Sequence, residues 1–195
     1  MSGHFLIVEA RFYEEIVDAQ VAGAIAALEA KGASFSRVSV PGALEIPGAI
    51  AMASTGHCHF DGYVALGCVI RGETSHYDTV CNESARGLMD LSLVDGLAIG
   101  NGVITVENEA QAWARADMNR KDKGGDAARA AMAMARKRSK VVRADTRRFR
   151  CRTKGGIASK AKGQATPTPT QTPTPTPLQT PTPTLRRKLR RKLSI

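Results

Sequence analysis

Cysteine is scarce, and Cys58, Cys68, Cys81 and Cys151 form no C-x-x-C pair. Their spacing speaks for reduced structural thiols over disulfides or a metal site, the more so because Cys68 lies in an apolar run. His57-Cys58-His59 gathers metal-ligand types, but adjacent side chains diverge and no second cluster lies near them, so no metal is expected there. No hydrophobic run reaches membrane-spanning length. Met1 to Ala10 also lacks the basic-then-apolar form of a secretory leader, so a cytoplasmic protein is the expectation. Acidic residues are missing from the last third, where Asp145 stands alone.

That last absence divides the chain. Residues 1–135 hold 10 Lys+Arg against 17 Asp+Glu, hence −7, whereas residues 136–195 hold 18 against one, hence +17. The overall +10 therefore describes neither part. At 195 residues and 43% hydrophobic content, the chain has enough apolar material for one ordinary core with an appendage. The expected division is a folded domain over 1–138, a basic extension over 139–165, a Thr-Pro spacer over 166–184 and a basic segment over 185–195. Seven of the nine prolines fall in the spacer, which favours extended polyproline II. Leu185, Leu189 and Leu193 recur among six cations, the pattern of a short amphipathic helix.

In the first 138 residues, apolar runs alternate with helical periodicity. Phe5 to Val8 is a short buried strand, and Ile16, Val17, Val21, Ala24, Ile25 and Leu28 line a helix that Gly32 stops. Ser34 to Val40 alternates as an edge strand would. Ala43 to Met52 is helical, with Pro47 tolerated only in the first turn. A helix from His76 to about Leu93 turns Val80, Ala85, Leu88, Met89 and Leu91 inward. Leu97 to Val106 is a fourth strand, interrupted by Gly100-Asn101-Gly102. A short helix over Glu107 to Ala116 and a last one from about Asp126 to Arg138 follow. Four strands alternating with helices imply an α/β fold with a parallel sheet covered on both faces.

The stretch Val64 to Asp78 carries the chemistry. Val64 to Ile70 is continuously apolar or small, as a doubly covered central strand requires. Arg71 to Thr74 is a turn, and Ser75-His-Tyr-Asp78 has the form of a capping box opening a helix. Free N–H groups at such a start attract an anion. His76 sits there, at the carboxyl end of a strand, and an imidazole is the side chain best suited to take and return protons around neutral pH, so it is the leading acid–base candidate. Spacing alone leaves the plainer reading open, a polar residue at a helix start.

Ala10-Arg-Phe12, Val40 to Pro47, Leu66 to Asp78, Asn101 to Asn108 and Lys123-Gly124, in this order and spacing, resemble the lumazine synthase family over about residues 4–135. The resemblance implies a flavodoxin-like three-layer sandwich with a four-stranded parallel sheet. It also implies a transferase of riboflavin biosynthesis, condensing 5-amino-6-(D-ribitylamino)uracil with 3,4-dihydroxy-2-butanone 4-phosphate to 6,7-dimethyl-8-ribityllumazine. Phosphate and water leave, and neither a metal nor a redox cofactor is needed.

By resemblance, Phe12 stacks on the pyrimidine ring, and Ala43, Leu44 and Glu45 contact the ribityl chain. Cys68, Val69 and Ile70 read the uracil edge, Gly72, Glu73 and Thr74 form the phosphate loop, and His76 transfers protons. Arg115 and Lys123 bind phosphate; without the resemblance both read as solvated helix charges. Phe12, Glu45 and Cys68 to Ile70 likewise have plainer readings, as a core aromatic, a solvated carboxylate and core strand.

In this family the site is shared, with the Asn101, Arg115 and Lys123 region coming from the neighbour around a five-fold ring. Asn101 stands where some members have an aromatic. Met118 to Asp122 lacks the G-x-K-x-G-N loop of many sixty-subunit shells, so pentamers or pentamer pairs are favoured. Two other functions remain in view: a non-catalytic scaffold binding flavin or lumazine, and an assembly held to nucleic acid or an anionic surface by its basic tail. Against the latter, the tail brings no folded nucleic-acid module and only one aromatic, Phe149.

Overall fold

The computed structural model describes residues 3–153. Four strands, β1 (His4–Ala10), β2 (Ser34–Val40), β3 (Gly62–Ile70) and β4 (Ile99–Val106), form one sheet in the order β2-β1-β3-β4. Every pairing is parallel, with Val8 opposite both Val38 and Ala65, and Cys68 opposite Ile104. The helices are α1 (Glu14–Glu29), α2 (Glu45–Thr55), α3 (His76–Val94), α4 (Glu109–Ala116) and α5 (Lys123–Thr153). The result is the expected three-layer α/β sandwich, with β2 at an edge and β3 inside.

Period-two alternation in the strands separates two cores. Phe5, Ile7, Val64 and Leu66 point to one face, where Val17, Val21 and Leu28 of α1 meet Ala127, Ala128 and Ala131 of α5. Leu6, Val8, Tyr63 and Ala65 point to the other, against Ile46 and Ile50 of α2 and Leu88 of α3. Each fully buried Leu, Ile or Val contributes roughly 1.5–3 kcal/mol of burial free energy, enough for these rows to fix which face each strand turns inward. Cys68, Ile104 and Val106 form a third patch with Ile16 of α1 and Ala112 and Ala116 of α4.

Several expectations need correction. The fourth strand runs through Gly100-Asn101-Gly102 without interruption. Ala85 and Met89 face solvent, because α3 rests on the sheet along a narrower stripe through Ser84 and Leu88. The last helix continues past Arg138 to Thr153, since 126–153 contains neither Pro nor Gly to stop it. The Thr-Pro spacer, the terminal basic segment and the end of the basic extension lie outside the described residues.

Candidate functional site

A cavity of about 340 Å³ opens at the carboxyl ends of β1, β2 and β3. Ligands of open α/β sheets sit in this crevice, beside the point where chain crossovers change sides. Residues leaving β1 supply Phe12 and Tyr13; those after β2 supply Gly42, Ala43, Leu44 and Glu45; the end of β3 supplies Cys68, Val69 and Ile70. The turn into α3 adds Gly72, Thr74, His76, Tyr77 and Val80. Ten of the residues singled out from sequence therefore meet in one place.

Phe12 is 72% exposed, and its ring meets Tyr13 edge-on with centroids 5.0 Å apart. A large aromatic left open at a cavity mouth offers a flat apolar face to a planar ligand. The loop bearing it is tied down: the Arg11 amide donates to the Val40 carbonyl at 3.0 Å, and the Arg11 guanidinium donates to Asp18 at 2.7 Å. That bond lowers the Asp18 pKa below the usual carboxylate range. Behind the loop, the buried Glu9 accepts from Arg37 at 2.9 and 3.0 Å and from the Ser39 hydroxyl at 3.1 Å.

Cys68 contributes shape and backbone, not a thiolate. Burial pushes its thiol up to about 12, so it stays protonated at any working pH. Its neighbours Val69 and Ile70 are partly exposed, at the point where the strand opens to the cavity.

The start of α3 differs from expectation. Ser75 makes no side-chain cap bond, so the capping box is not formed. Asp78 turns instead to Arg71, accepting from its two terminal nitrogens at 3.2 and 3.4 Å. Thr74 Oγ1 takes the His76 amide at 3.3 Å. Among the described residues, the amides of Gly72, Glu73, Thr74, Ser75 and Tyr77 have no protein acceptor. Unpaired donors at a helix N-terminus, with His76 beside them, are the elements of an anion cradle.

Glu73 belongs to this loop but is not among the residues that line the cavity. Asn101, Arg115 and Lys123 are also absent from the wall. Asn101 lies mid-strand and accepts from the Val103 amide at 3.0 Å. Arg115 donates to the Gln111 carbonyl at 3.0 Å on α4, and Lys123 pairs with Asp126 at 2.7 Å where α5 begins. Among the described residues, the cavity wall consequently holds one acid, Glu45, and neither lysine nor arginine.

Sequence reading missed Tyr13, Gly42, Tyr77 and Val80. Tyr13 and Tyr77 each adjoin a residue already singled out, and Gly42 lies within a motif quoted whole. Val80, expected in the core, both packs against the core and lines the cavity.

The profile of the 6,7-dimethyl-8-ribityllumazine synthase family matches residues 2–139. The chain is 61% identical over 135 residues to 6,7-dimethyl-8-ribityllumazine synthase 1 of Rhizobium meliloti, covering 67% of this chain and 88% of that protein. It is 63% identical over 131 residues to the 6,7-dimethyl-8-ribityllumazine synthase of Sphingopyxis alaskensis, covering 67% and 92%. Against the Agrobacterium fabrum protein of the same name, identity is 57% over 142 residues, covering 71% and 96%. With the profile matching most of the chain and these relatives near 60% identical over most of their own length, the chain belongs to the 6,7-dimethyl-8-ribityllumazine synthase family.

Proposed function

We propose that this protein condenses 5-amino-6-(D-ribitylamino)uracil with 3,4-dihydroxy-2-butanone 4-phosphate to give 6,7-dimethyl-8-ribityllumazine. The observation carrying this reading is the convergence of an open aromatic, the partly exposed end of β3, unpaired helix-start amides and one histidine on a single cavity. These groups answer the needs of the two substrates. Phe12 stacks on the pyrimidine, and the backbone at Cys68, Val69 and Ile70 reads its polar edge. Ala43, Leu44 and Glu45 lie where the ribityl hydroxyls need partners. The amides from Gly72 to Thr74 receive the phosphate.

The proton bookkeeping gives His76 its part. An amine adding to a ketone must shed a proton, and the carbonyl oxygen must gain protons to leave as water. Expulsion of phosphate from the next carbon but one needs a proton removed from the carbon between. One imidazole beside the phosphate cradle can take the proton in one step and return it in another. His76→Ala is expected to lower kcat by about a hundredfold or more while the pyrimidine KM changes little. Product appearance, followed by lumazine fluorescence from the two substrates, checks this; unchanged turnover would remove His76 from the mechanism, and ligand binding without any product would favour the non-catalytic scaffold.

The absence of lysine and arginine from the wall supports a shared site. A phosphate dianion needs a cation, and a guanidinium serves best because it binds two oxygens at once and stays charged. On this reading the neighbouring copy in a pentamer lends Arg115 and Lys123, with Asn101 beside the ring. Arg115→Ala should raise the KM for the phosphate substrate by roughly tenfold or more, leaving that for the pyrimidine nearly unchanged.

A further inference from the structure

The failed capping box has a cause in the structure. Arg71 leaves β3 with its amide donating to the Val106 carbonyl of β4 at 2.9 Å. Its guanidinium lies 4.0 Å over the ring of Tyr77, donates from Nε to Glu107 at 2.9 Å, and reaches Asp78 with both terminal nitrogens. One side chain thus joins the exits of β3 and β4 to the first turn of α3. With its donors on two carboxylates, Arg71 is not free to grip a substrate phosphate.

In a capping box the carboxylate three residues into the helix folds back onto the amide of the cap residue. Here those residues are Asp78 and Ser75. Were Asp78 to swing back, it would occupy the Ser75 amide and set a negative charge beside the loop from Gly72 to Thr74. An anion arriving there would lose a donor and meet repulsion.

We infer that Arg71 is a positioning residue which, by holding Asp78 toward Glu107, keeps the amides at the start of α3 open for the phosphate of the second substrate. This rests on the proposed function for the identity of that substrate, while the underlying claim concerns any phosphate at the cradle. Arg71 therefore acts through Asp78 and touches no reacting atom.

The test is a cycle of three full-length variants, Arg71→Gln, Asp78→Asn and the double variant. Arg71→Gln is expected to raise the KM for the phosphate substrate by about tenfold with the pyrimidine KM unchanged, since only the anion site gains a competitor. The double variant removes both charges and should return that KM to within about twofold of the parent, a recovery that loss of mere scaffolding would not show. Asp78→Asn alone, which leaves Arg71 intact, should bind phosphate at least as tightly as the parent.

Inorganic phosphate titrated against each protein and followed by phosphorus NMR reads the same order without turnover. An inactive parent would thus overturn the proposed function and leave this test in force. Equal phosphate affinity in the parent and Arg71→Gln, or a double variant no better than Arg71→Gln, would overturn the inference. If Arg71→Gln fails to fold, weaker phosphate binding by Asp78→Asn would overturn it as well.

Discussion

Phe12 shows how a single residue can be costly to function and cheap to stability. A buried Phe removed from a core costs about 3–5 kcal/mol, but a side chain 72% exposed has little burial to lose. Phe12→Ala should leave the thermal midpoint nearly where it was. Stacking of aromatic rings is worth about 0.5–1.5 kcal/mol beyond buried area, so the pyrimidine KM should rise roughly two- to tenfold. A melting curve and a substrate titration on one preparation check both halves; a large drop in midpoint with unchanged KM would return Phe12 to the fold. At this scale the sequence was informative about residue type and poor about direction. Phe12 and His76 were legible because each lies in the stretch that leads from a strand end into a helix. Asp78 was misread because its competing partner, Arg71, sits seven residues back and takes its position from β4, which no local pattern reveals.

Elements were more legible than residues, because a strand's alternation and a helix's period are repeated several times over. The places where reading failed are those where one element presses on another. Gly100 and Gly102 read as breaks in β4, yet they let α5 lie against the strand. A Cβ at Gly100 would overlap the carbonyl of Ala127, and one at Gly102 would meet the side chains of Leu66 and Ala127. Gly124 is pressed in the same way against the backbone carbonyl of Gln20 on α1, whose side-chain Nε2 donates to the Gly102 carbonyl at 2.7 Å. Neither Gly100 nor Gly124 is among the positive-φ glycines, so the requirement is space and not backbone freedom. Gly100→Ala must push α5 from the sheet, and overpacking of this kind costs about 1–3 kcal/mol or more. The expected result is a thermal midpoint lower by several degrees, with larger loss than for Gly72→Ala, where an added Cβ meets nothing within 4 Å. Equal midpoints for these two variants would show that α5 has room to shift.

For the whole molecule, what one chain cannot display is what it lacks. Among the described residues, the cavity has an aromatic, a histidine and open amides but no cation on its wall, and Arg115 and Lys123 lie elsewhere on the same chain. Sequence reading reached these two residues only through family resemblance, since an arginine on a short, half-buried helix bears no local mark of phosphate binding. A head-to-tail ring would bring them to the next copy's cavity, each interface pairing the His76 side of one chain with the Arg115 side of its neighbour. This arrangement makes a prediction that no single-chain site shares. Rings of His76→Ala alone have no intact site, and rings of Arg115→Ala alone have none either. If the two variants are unfolded together and refolded as mixed rings, an Arg115→Ala chain supplies its histidine to the arginine of a His76→Ala neighbour, and that interface is whole. Random mixing in equal amounts makes about one interface in four intact, so turnover at phosphate-substrate concentrations well below the raised KM of Arg115→Ala should return to about a quarter of the parent's. Were all the residues drawn from one chain, no mixed pair could be whole, and activity would stay at the average of the two variants measured alone.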